Sequence, residues 1–388
     1  MLKNTFIKTV WLTGLLFASI SSAKVHTYIT VEEARIDKAT QANPKITQLF
    51  SKQLSLFQQS LNTSLTAAQL KKVINQHAAS LWLNATEHLQ SNTTFDDRPL
   101  YWARLQMAKA IRTNTQFRAL SSDKQQSVMF KFELLSRGFH DIQFDKTGTK
   151  KILVTGFDPF FLDRNIGQSN PSGIAAMYLD NRVVELDGER AHIQAMMIPV
   201  RFADFDMGMI ETMLSEYYPD VDMITTISMG RKDFDLERFP GLRRSAKAPG
   251  NLNVYTGASA KLPLKPFLHD KVLTTPEFVQ FSLPVKYMQK ATGPFEVIDN
   301  HNVETIKRGK FAAKSLAELK NATSVQGSGG GYLSNEISYR SIVLRNKLNP
   351  ELPVGHIHTP RIKDWKFDEV KGIVLQIEDM LRQSIPAL

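Results

Sequence analysis

From residue 148 to the C-terminus, short apolar runs alternate with longer amphipathic stretches. This alternation constrains the fold more than any other feature of the chain. The runs "KILVTGF", "HIQAMMIPV", "VDMITTISMG" and "GHIHTP" are predicted strands. The predicted helices are "SGIAAMYLDN", "FADFDMGMIETMLSEYY" and "FDEVKGIVLQIEDMLRQSI", and "FEVIDN" precedes a further predicted helical stretch. Such alternation is typical of a parallel sheet covered by helices. We therefore predict that residues 148–388 form an α/β fold, with a mostly parallel twisted sheet flanked by helices on both sides.

Residues 24–147 have a different pattern, in which apolar side chains recur every three or four positions. The stretch "ITQLFSKQLSLFQQSL" shows this spacing, and Thr66 with Gln69 forms a capping-box pattern before another apolar-periodic run. These features predict an all-helical N-terminal region ahead of the α/β fold.

The first 23 residues predict a secretory signal peptide. Lys3 and Lys8 flank a basic start, "TVWLTGLLFASI" is apolar but short for a membrane span, and small residues precede a cleavage site after Ala23. The alternative is an uncleaved membrane anchor. We expect an exported protein, periplasmic or secreted, without stable membrane insertion after cleavage. The chain has no cysteine, which excludes disulfides and a thiolate catalyst.

The net charge of +10 falls to about +8 when the two signal-peptide lysines are removed. The densest basic cluster, residues 238–247, lacks the interleaved aromatic residues of a single-strand binding surface. We therefore predict a solvated basic face and no nucleic-acid partner. The sequence is compatible with a homo-oligomer.

Sites in open α/β sheets lie beyond the carboxyl ends of the strands, and polar residues follow three of the predicted strands. Glu237 follows one strand, Ser334 follows a glycine run, and His358 lies near the end of the strand "GHIHTP". A serine, a histidine and a carboxylate can supply a nucleophile, its base and the group that orients the base. Two alternatives remain at this point. Ser334 could be only a helix N-cap, and His356 with His358 and a nearby acid could bind a metal.

Four motifs in order resemble the pyroglutamyl peptidase I (pyrrolidone-carboxylate peptidase) family of cysteine peptidases. "VTGFDPF" followed by "NPS" resembles the family's opening strand and turn. "ERFPGLRRSAKAPGN" resembles its glutamate segment, "GYLSNEISY" its nucleophile segment, and "GHIHTP" its histidine segment. The resemblance covers roughly residues 150–385.

This resemblance implies removal of an N-terminal pyroglutamyl residue from peptides by a Ser-His-Glu variant of the family's Cys-His-Glu mechanism. It implies a peptide substrate with a blocked N-terminus, and no metal or organic cofactor. Carried across position by position, the catalytic residues are Ser334, His358 and Glu237, and the substrate-binding residues are Phe157, Phe160, Asn170 and Gly331.

Several positions depart from the family pattern. Serine stands at the nucleophile position, Lys247 replaces an arginine, Leu242 replaces an asparagine, Glu336 replaces a histidine and His356 replaces an apolar residue. Oxygen is a weaker nucleophile than a thiolate and needs a base at the moment of attack. The alternative is therefore a non-catalytic pseudoenzyme or binding protein on the same fold.

Overall fold

The computed structural model describes residues 29–144 and 147–388. The predicted signal peptide lies outside the described residues. No helix in the described part of the chain is long and apolar enough to cross a membrane.

The N-terminal region is helical, as predicted. Thr66 begins its longest helix through the predicted capping box, because its hydroxyl accepts from the Gln69 N–H and the Gln69 side chain accepts from the Thr66 N–H. The helices described here are α1 (Val31–Ala34), α2 (Ile36–Ala42), α3 (Pro44–Thr47), α4 (Ser51–Leu61), α5 (Ala67–Asn92), α6 (Arg98–Thr113), α7 (Thr115–Arg118) and α8 (Ser122–Leu135).

A seven-stranded sheet follows, in the order β2-β3-β1-β4-β12-β5-β8. Neighbouring strands from β3 to β12 in this order run parallel, as do β5 and β8, whereas the β2–β3 and β12–β5 pairs are antiparallel. Its strands are β1 (Lys150–Phe157), β2 (Arg182–Leu186), β3 (Glu189–Ile198), β4 (Met223–Met229), β5 (Phe234–Glu237), β8 (Val297–Asn300) and β12 (Val354–Thr359). The predicted mostly parallel sheet is confirmed.

Helices cover both faces of this sheet. One group consists of α9 (Pro171–Leu179), α12 (Val285–Met288) and α14 (Phe367–Ser384), and the other contains α10 (Phe202–Asp206), α11 (Met209–Leu214) and α13 (Leu333–Leu348). Successive residues Ile152, Leu153 and Val154 of β1 point to opposite faces and are all fully buried. Helix α5 packs on α9, so the N-terminal helices join the core of the sheet.

Two segments differ from the sequence predictions. The run 202–218, predicted as one helix, is interrupted at Gly208, whose φ of 77° ends α10 before α11 begins. "FEVIDN" forms β8 and is followed by further strands where a helix was predicted. The remaining strands form small antiparallel sheets, β6 (Phe267–Leu268) with β7 (Lys271–Val272), and β10 (Gly309–Ala312) with β9 (Asn302–Thr305) and β11 (Ser324–Gln326).

The end of β1 approaches the start of α9 closely. A side-chain carbon added to Gly156 would lie 2.0 Å from the Ser172 carbonyl oxygen, so only glycine fits there. Asn170 caps α9 by accepting from the Ser172 N–H at 3.1 Å. This contact holds the aromatic residues after β1 at the carboxyl edge of the sheet.

Candidate active site

Strands β4 and β12 place four polar side chains on one face of the sheet. Their parallel register pairs Thr226 with His356 and Ser228 with His358. Because side chains alternate along a strand, these two pairs point the same way. The imidazoles of His356 and His358 meet edge to face, with ring centroids 4.9 Å apart.

His358 and Glu237 form a buried pair. Strand β5 runs antiparallel to β12 and brings the Glu237 carboxylate to the imidazole, where Oε1 is hydrogen-bonded to Nδ1 of His358. Glu237 is fully buried and His358 is 5% exposed. A carboxylate bound at Nδ1 leaves Nε2 of the neutral imidazole as a proton acceptor. Two of the three residues predicted to be catalytic are therefore in direct contact.

Asn300, at the end of β8, holds the second oxygen of this carboxylate. Its Nδ2 donates to Oε2 of Glu237 at 2.9 Å and to the Ser328 carbonyl at 3.2 Å. Ser328 belongs to the glycine-rich loop that precedes α13, so Asn300 connects the carboxylate with the loop that carries Ser334. The sequence analysis did not identify Asn300.

Ser334 is the second residue of α13 and not its N-cap. The N-cap is Tyr332, which makes no side-chain capping bond, so the interpretation of Ser334 as a simple cap is wrong. The Ser334 hydroxyl donates to the Gly329 carbonyl at 3.3 Å. The first amide N–H groups of a helix have no intrahelical acceptor, and Ser334 lies within this first turn of α13.

Ser334 and His358 both lie next to the same glycine, Gly329. A side-chain carbon added to Gly329 would lie 3.5 Å from Cε1 of His358, while the Gly329 carbonyl accepts from Ser334. Within residues 29–144 and 147–388, Ser334 forms no hydrogen bond with His358.

A narrow pocket contains most of the predicted substrate-binding residues. Its cavity volume is about 30 Å³, and it is lined by Phe157, Phe160, Asn170, Val200, Ser228, Met229, Tyr332, Leu333 and Ser334. Gly331 does not line it. The Gly331 carbonyl accepts from the Ser245 and Ala246 N–H groups, and a side-chain carbon on Gly331 would lie 1.9 Å from the Ser245 hydroxyl oxygen.

Asn170 lines the pocket, but its side chain is already engaged within the protein. Its Oδ1 accepts from the Ser172 amide and hydroxyl, and its Nδ2 donates to the Asp158 carbonyl at 2.9 Å. This geometry ties the turn that carries Phe157 and Phe160 to the start of α9. The contribution of Asn170 is therefore to shape the pocket wall.

The N-terminal helices hold the same turn through buried charges. Asp158, between the two aromatic positions, pairs with Arg104 of α6 and with Arg137 just after α8, each at 2.7 Å. All three side chains are almost completely buried. Nothing in the local sequence distinguishes these arginines from surface charges, so the sequence analysis missed them.

Asp97, immediately before α6, makes a second connection. Its carboxylate accepts from the Ser169 hydroxyl at 2.6 Å and from the Asn170 N–H at 3.1 Å. Burial raises the pKa of Asp97 to about 8, with these hydrogen bonds acting in the opposite direction.

The departures from the family pattern have distinct environments. Glu336 is buried between Arg244, at 2.6 Å, and Arg340, at 2.8 Å. Burial would raise the pKa of Glu336, but the two guanidinium groups hold it below its ordinary value. Leu242 lies in the core, and Lys247 is exposed.

The arrangement of the histidines does not support the metal-site alternative. Both nitrogens of His356 are hydrogen-bonded to hydroxyl groups, Nδ1 to Thr226 at 2.8 Å and Nε2 to Ser228 at 2.7 Å. In the part of the chain that the structure describes, no group of three or more histidine and acidic side chains is arranged to hold a metal ion.

Family models match both regions of the chain. Residues 18–133 match the model described as "PA0049 N-terminal domain", and residues 151–284 and 287–363 match "PA0049, C-terminal domain". The uncharacterized protein PA0049 of Pseudomonas aeruginosa is 26% identical over an alignment that covers 77% of this chain and 71% of that protein.

The α/β region is also similar to pyrrolidone-carboxylate peptidases, which confirms the resemblance expected from the motifs. The Thermosipho africanus enzyme is 27% identical, with 61% of this chain and 93% of the enzyme covered. The Streptococcus suis enzyme is 24% identical, with 60% and 87% covered. Among solved structures, pyroglutamyl peptidase I of Bacillus amyloliquefaciens has a TM-score of 0.42 at 19% identity, covering 61% of this chain and 97% of that one.

Proposed function

The chain belongs to the PA0049 family, and we propose that it is a hydrolase that removes an N-terminal pyroglutamyl (5-oxoproline) residue from peptides. The observation that carries this proposal is the buried Glu237–His358 pair at the edge of the sheet where Ser334 and two phenylalanines line one pocket. Similarity of the α/β region to pyrrolidone-carboxylate peptidases supports the substrate class. Export to the periplasm or the medium, through residues 1–23, is part of the proposal.

In the proposed mechanism Ser334 is the nucleophile and His358 is the general base. The Ser334 hydroxyl leaves the Gly329 carbonyl and gives its proton to Nε2 of His358 as its oxygen bonds to the scissile carbonyl carbon. His358 then returns that proton to the departing amine as the carbon–nitrogen bond breaks. Water hydrolyses the resulting ester by the same route. Glu237 keeps the imidazole in the required tautomer and stabilises its protonated form.

The start of α13 can stabilise the negative charge that develops on the carbonyl oxygen. The N–H groups of its first turn are directed toward the pocket end of the helix, and a helix N-terminus carries a partial positive charge. Preorganised donors of this kind contribute most when they face the transition-state oxygen.

The pocket fits the chemistry of a flat lactam ring. Phe157 and Phe160 offer apolar walls for the ring faces, and the edge of the ring needs polar partners. A cavity of about 30 Å³ is too small for such a ring, so binding requires a pocket side chain to move. Phe160 is half-buried, and we infer that its ring is the one that moves.

The direct test is hydrolysis of a pyroglutamyl reporter amide by purified residues 24–388. We expect turnover by the parent protein and a loss of about 10³-fold or more in Ser334→Ala, because the attacking oxygen is removed. Ser334→Cys should remain active and should become sensitive to a thiol-alkylating reagent, to which the parent, with no cysteine, is resistant.

A binding protein on the same fold is the second candidate function. The observation that favours it is the Ser334 hydroxyl, which donates to Gly329 and not to His358. Calorimetry with 5-oxoproline amide distinguishes the two. Binding without turnover in both the parent and Ser334→Cys would favour the binding protein, and an absence of binding would rule out both candidates.

A further inference from the structure

Ser228 lines the candidate pocket, but the proposed mechanism does not use it. It lies on β4, one residue before the strand ends, and it lines the same pocket as Phe160 and Ser334. Ser228 is 4% exposed, and its hydroxyl oxygen lies 2.7 Å from Nε2 of His356. The hydroxyl is therefore fixed in orientation by a buried group behind the pocket.

His356 links Ser228 to Thr226 in a chain of hydrogen bonds. The imidazole is completely buried, and its Nδ1 lies 2.8 Å from the Thr226 hydroxyl oxygen. Both hydroxyls come from β4, two residues apart, so the imidazole from the adjacent strand bridges them. Burial, and secondarily the neighbouring His358, lowers the pKa of His356 well below its ordinary value, which keeps the imidazole neutral.

The direction of these hydrogen bonds follows from one backbone carbonyl. The Thr226 hydroxyl donates to the Gly355 carbonyl at 3.2 Å, and a carbonyl can only accept. Thr226 has no other proton, so it accepts from Nδ1–H of His356. The neutral ring then has an unprotonated Nε2, which accepts the proton of the Ser228 hydroxyl. The lone pairs of the Ser228 oxygen can then accept a further hydrogen bond.

We propose that Ser228 determines specificity by accepting a hydrogen bond from the ring N–H of the bound lactam, and that Thr226 and His356 fix it as an acceptor. The inference rests on the proposed function, because it concerns the ring that this pocket binds. A substrate ring with an oxygen in place of the N–H would put two acceptors opposite each other. The pocket should therefore reject the lactone analogue, since the Ser228 oxygen would be left without a hydrogen-bond donor.

The test compares the lactam reporter amide with its isosteric ring-oxygen lactone analogue. The measured quantity is the ratio of their kcat/KM values, supported by the ratio of the Kd values of the corresponding free amides. The parent should prefer the lactam, and Ser228→Ala should reduce this preference by about tenfold or more. Thr226→Val, which leaves the pocket wall in place but removes the acceptor at Nδ1 of His356, should reduce it as well.

Thr225→Val is the matched control. Thr225 is a buried residue of the same strand, and its side chain points to the opposite face of the sheet. The ratio of the lactam and lactone kcat/KM values for Thr225→Val should therefore equal that of the parent. If the parent binds and cleaves the lactam but Ser228→Ala keeps the parental ratio, the inference is overturned and the proposed function stands. If the parent neither binds nor cleaves the lactam, both are overturned. Thermal unfolding of each variant separates loss of specificity from loss of folding.

Discussion

At the scale of single residues, Asn300 controls the orientation of the carboxylate that orients the base. Glu237 has two oxygens, of which one contacts His358 and the other accepts from Asn300. A carboxylate held at both oxygens cannot rotate away from the imidazole. The same Asn300 amide reaches the Ser328 carbonyl, so a change at this residue affects the carboxylate and the glycine-rich loop together.

We expect Asn300→Ala to lower kcat on the pyroglutamyl reporter by about tenfold or more, with a smaller change in KM. The reason is the loss of a hydrogen bond to a buried charged group. Asn302→Ala is the control, because the exposed Asn302 side chain donates to the Asn300 oxygen and, within the described residues, forms no hydrogen bond with Glu237. Steady-state kinetics of both variants checks the prediction, and an unchanged kcat in Asn300→Ala would contradict the role of this residue.

Of the residues that line the pocket, Ser334 could be predicted from its position in the chain, whereas Phe157, Phe160 and Asn170 were predicted only from the family resemblance. Phe157, Phe160, Asn170 and Ser334 meet in one pocket because the carboxyl ends of parallel strands share an edge. Asn300 and Ser228 gave no comparable signal. Asn300 ends the short strand β8, and Ser228 is a small residue in an apolar run, so their importance depends on tertiary contacts alone.

At the scale of elements, helix α13 is anchored by a buried network of charges on the side away from the pocket. Glu336 lies between Arg244 and Arg340, and these arginines also pair with Asp206 and Glu211. Since Ser334 lies two residues before Glu336, this network fixes the part of the helix that carries the proposed nucleophile.

The lowered pKa of Glu336 predicts how this anchor depends on pH. A carboxyl with a lower pKa in the folded state stabilises the protein above its unfolded pKa, near 4.5, and this contribution is lost as the pH falls through the folded value. We expect Glu336→Gln to reduce the free energy of unfolding by about 3 kcal/mol at pH 7, and by less as the pH falls below 4.5 toward the lowered pKa of the Glu336 carboxyl.

Thermal unfolding of the parent and Glu336→Gln at a series of pH values between about 3 and 8 checks this. Glu185→Gln, on an exposed position of β2, is the control and should change stability little at any pH. A difference between parent and Glu336→Gln that stays constant across this range would contradict the ionised state of Glu336.

The predicted elements agree best with the structure where the hydrophobic pattern is strong. Strands β1, β3, β4 and β12 were recognised because parallel strands buried on both faces form continuous apolar runs. The strands after β8 were not recognised, because short strands of a small antiparallel sheet have few apolar residues and resemble surface helices. Gly208, within an otherwise helical pattern, was the only local sign that the predicted helix is interrupted.

At the scale of the whole molecule, the helical region and the α/β region share a hydrophobic core. Trp82 of α5 and Ile152 of β1 belong to the same buried cluster. The Trp82 indole also donates to Asp180 at the end of α9. The pyrrolidone-carboxylate peptidases match only about 60% of this chain, so the helices form an additional layer that packs on the part those relatives share.

This layer reaches the pocket through Arg104, and substitution of that residue tests whether it shapes the substrate site. Arg104→Met leaves Asp158 with Arg137 as its main partner, and we expect a loss of about 3 kcal/mol in the free energy of unfolding. We also expect a higher KM for the pyroglutamyl reporter, because Asp158 lies in the turn between Phe157 and Phe160.

The control for Arg104→Met is Arg182→Met, which breaks the more exposed pair with Glu378 and should cost no more than about 1 kcal/mol. Chemical unfolding gives the first quantity, and steady-state kinetics gives the second. If Arg104→Met lowers stability while KM stays at the parental value, the helical layer supports the fold without shaping the pocket. If KM rises only in Arg104→Met, the N-terminal helices are part of the substrate site, because Arg104 of α6 contacts the aromatic turn directly through the buried Asp158 carboxylate.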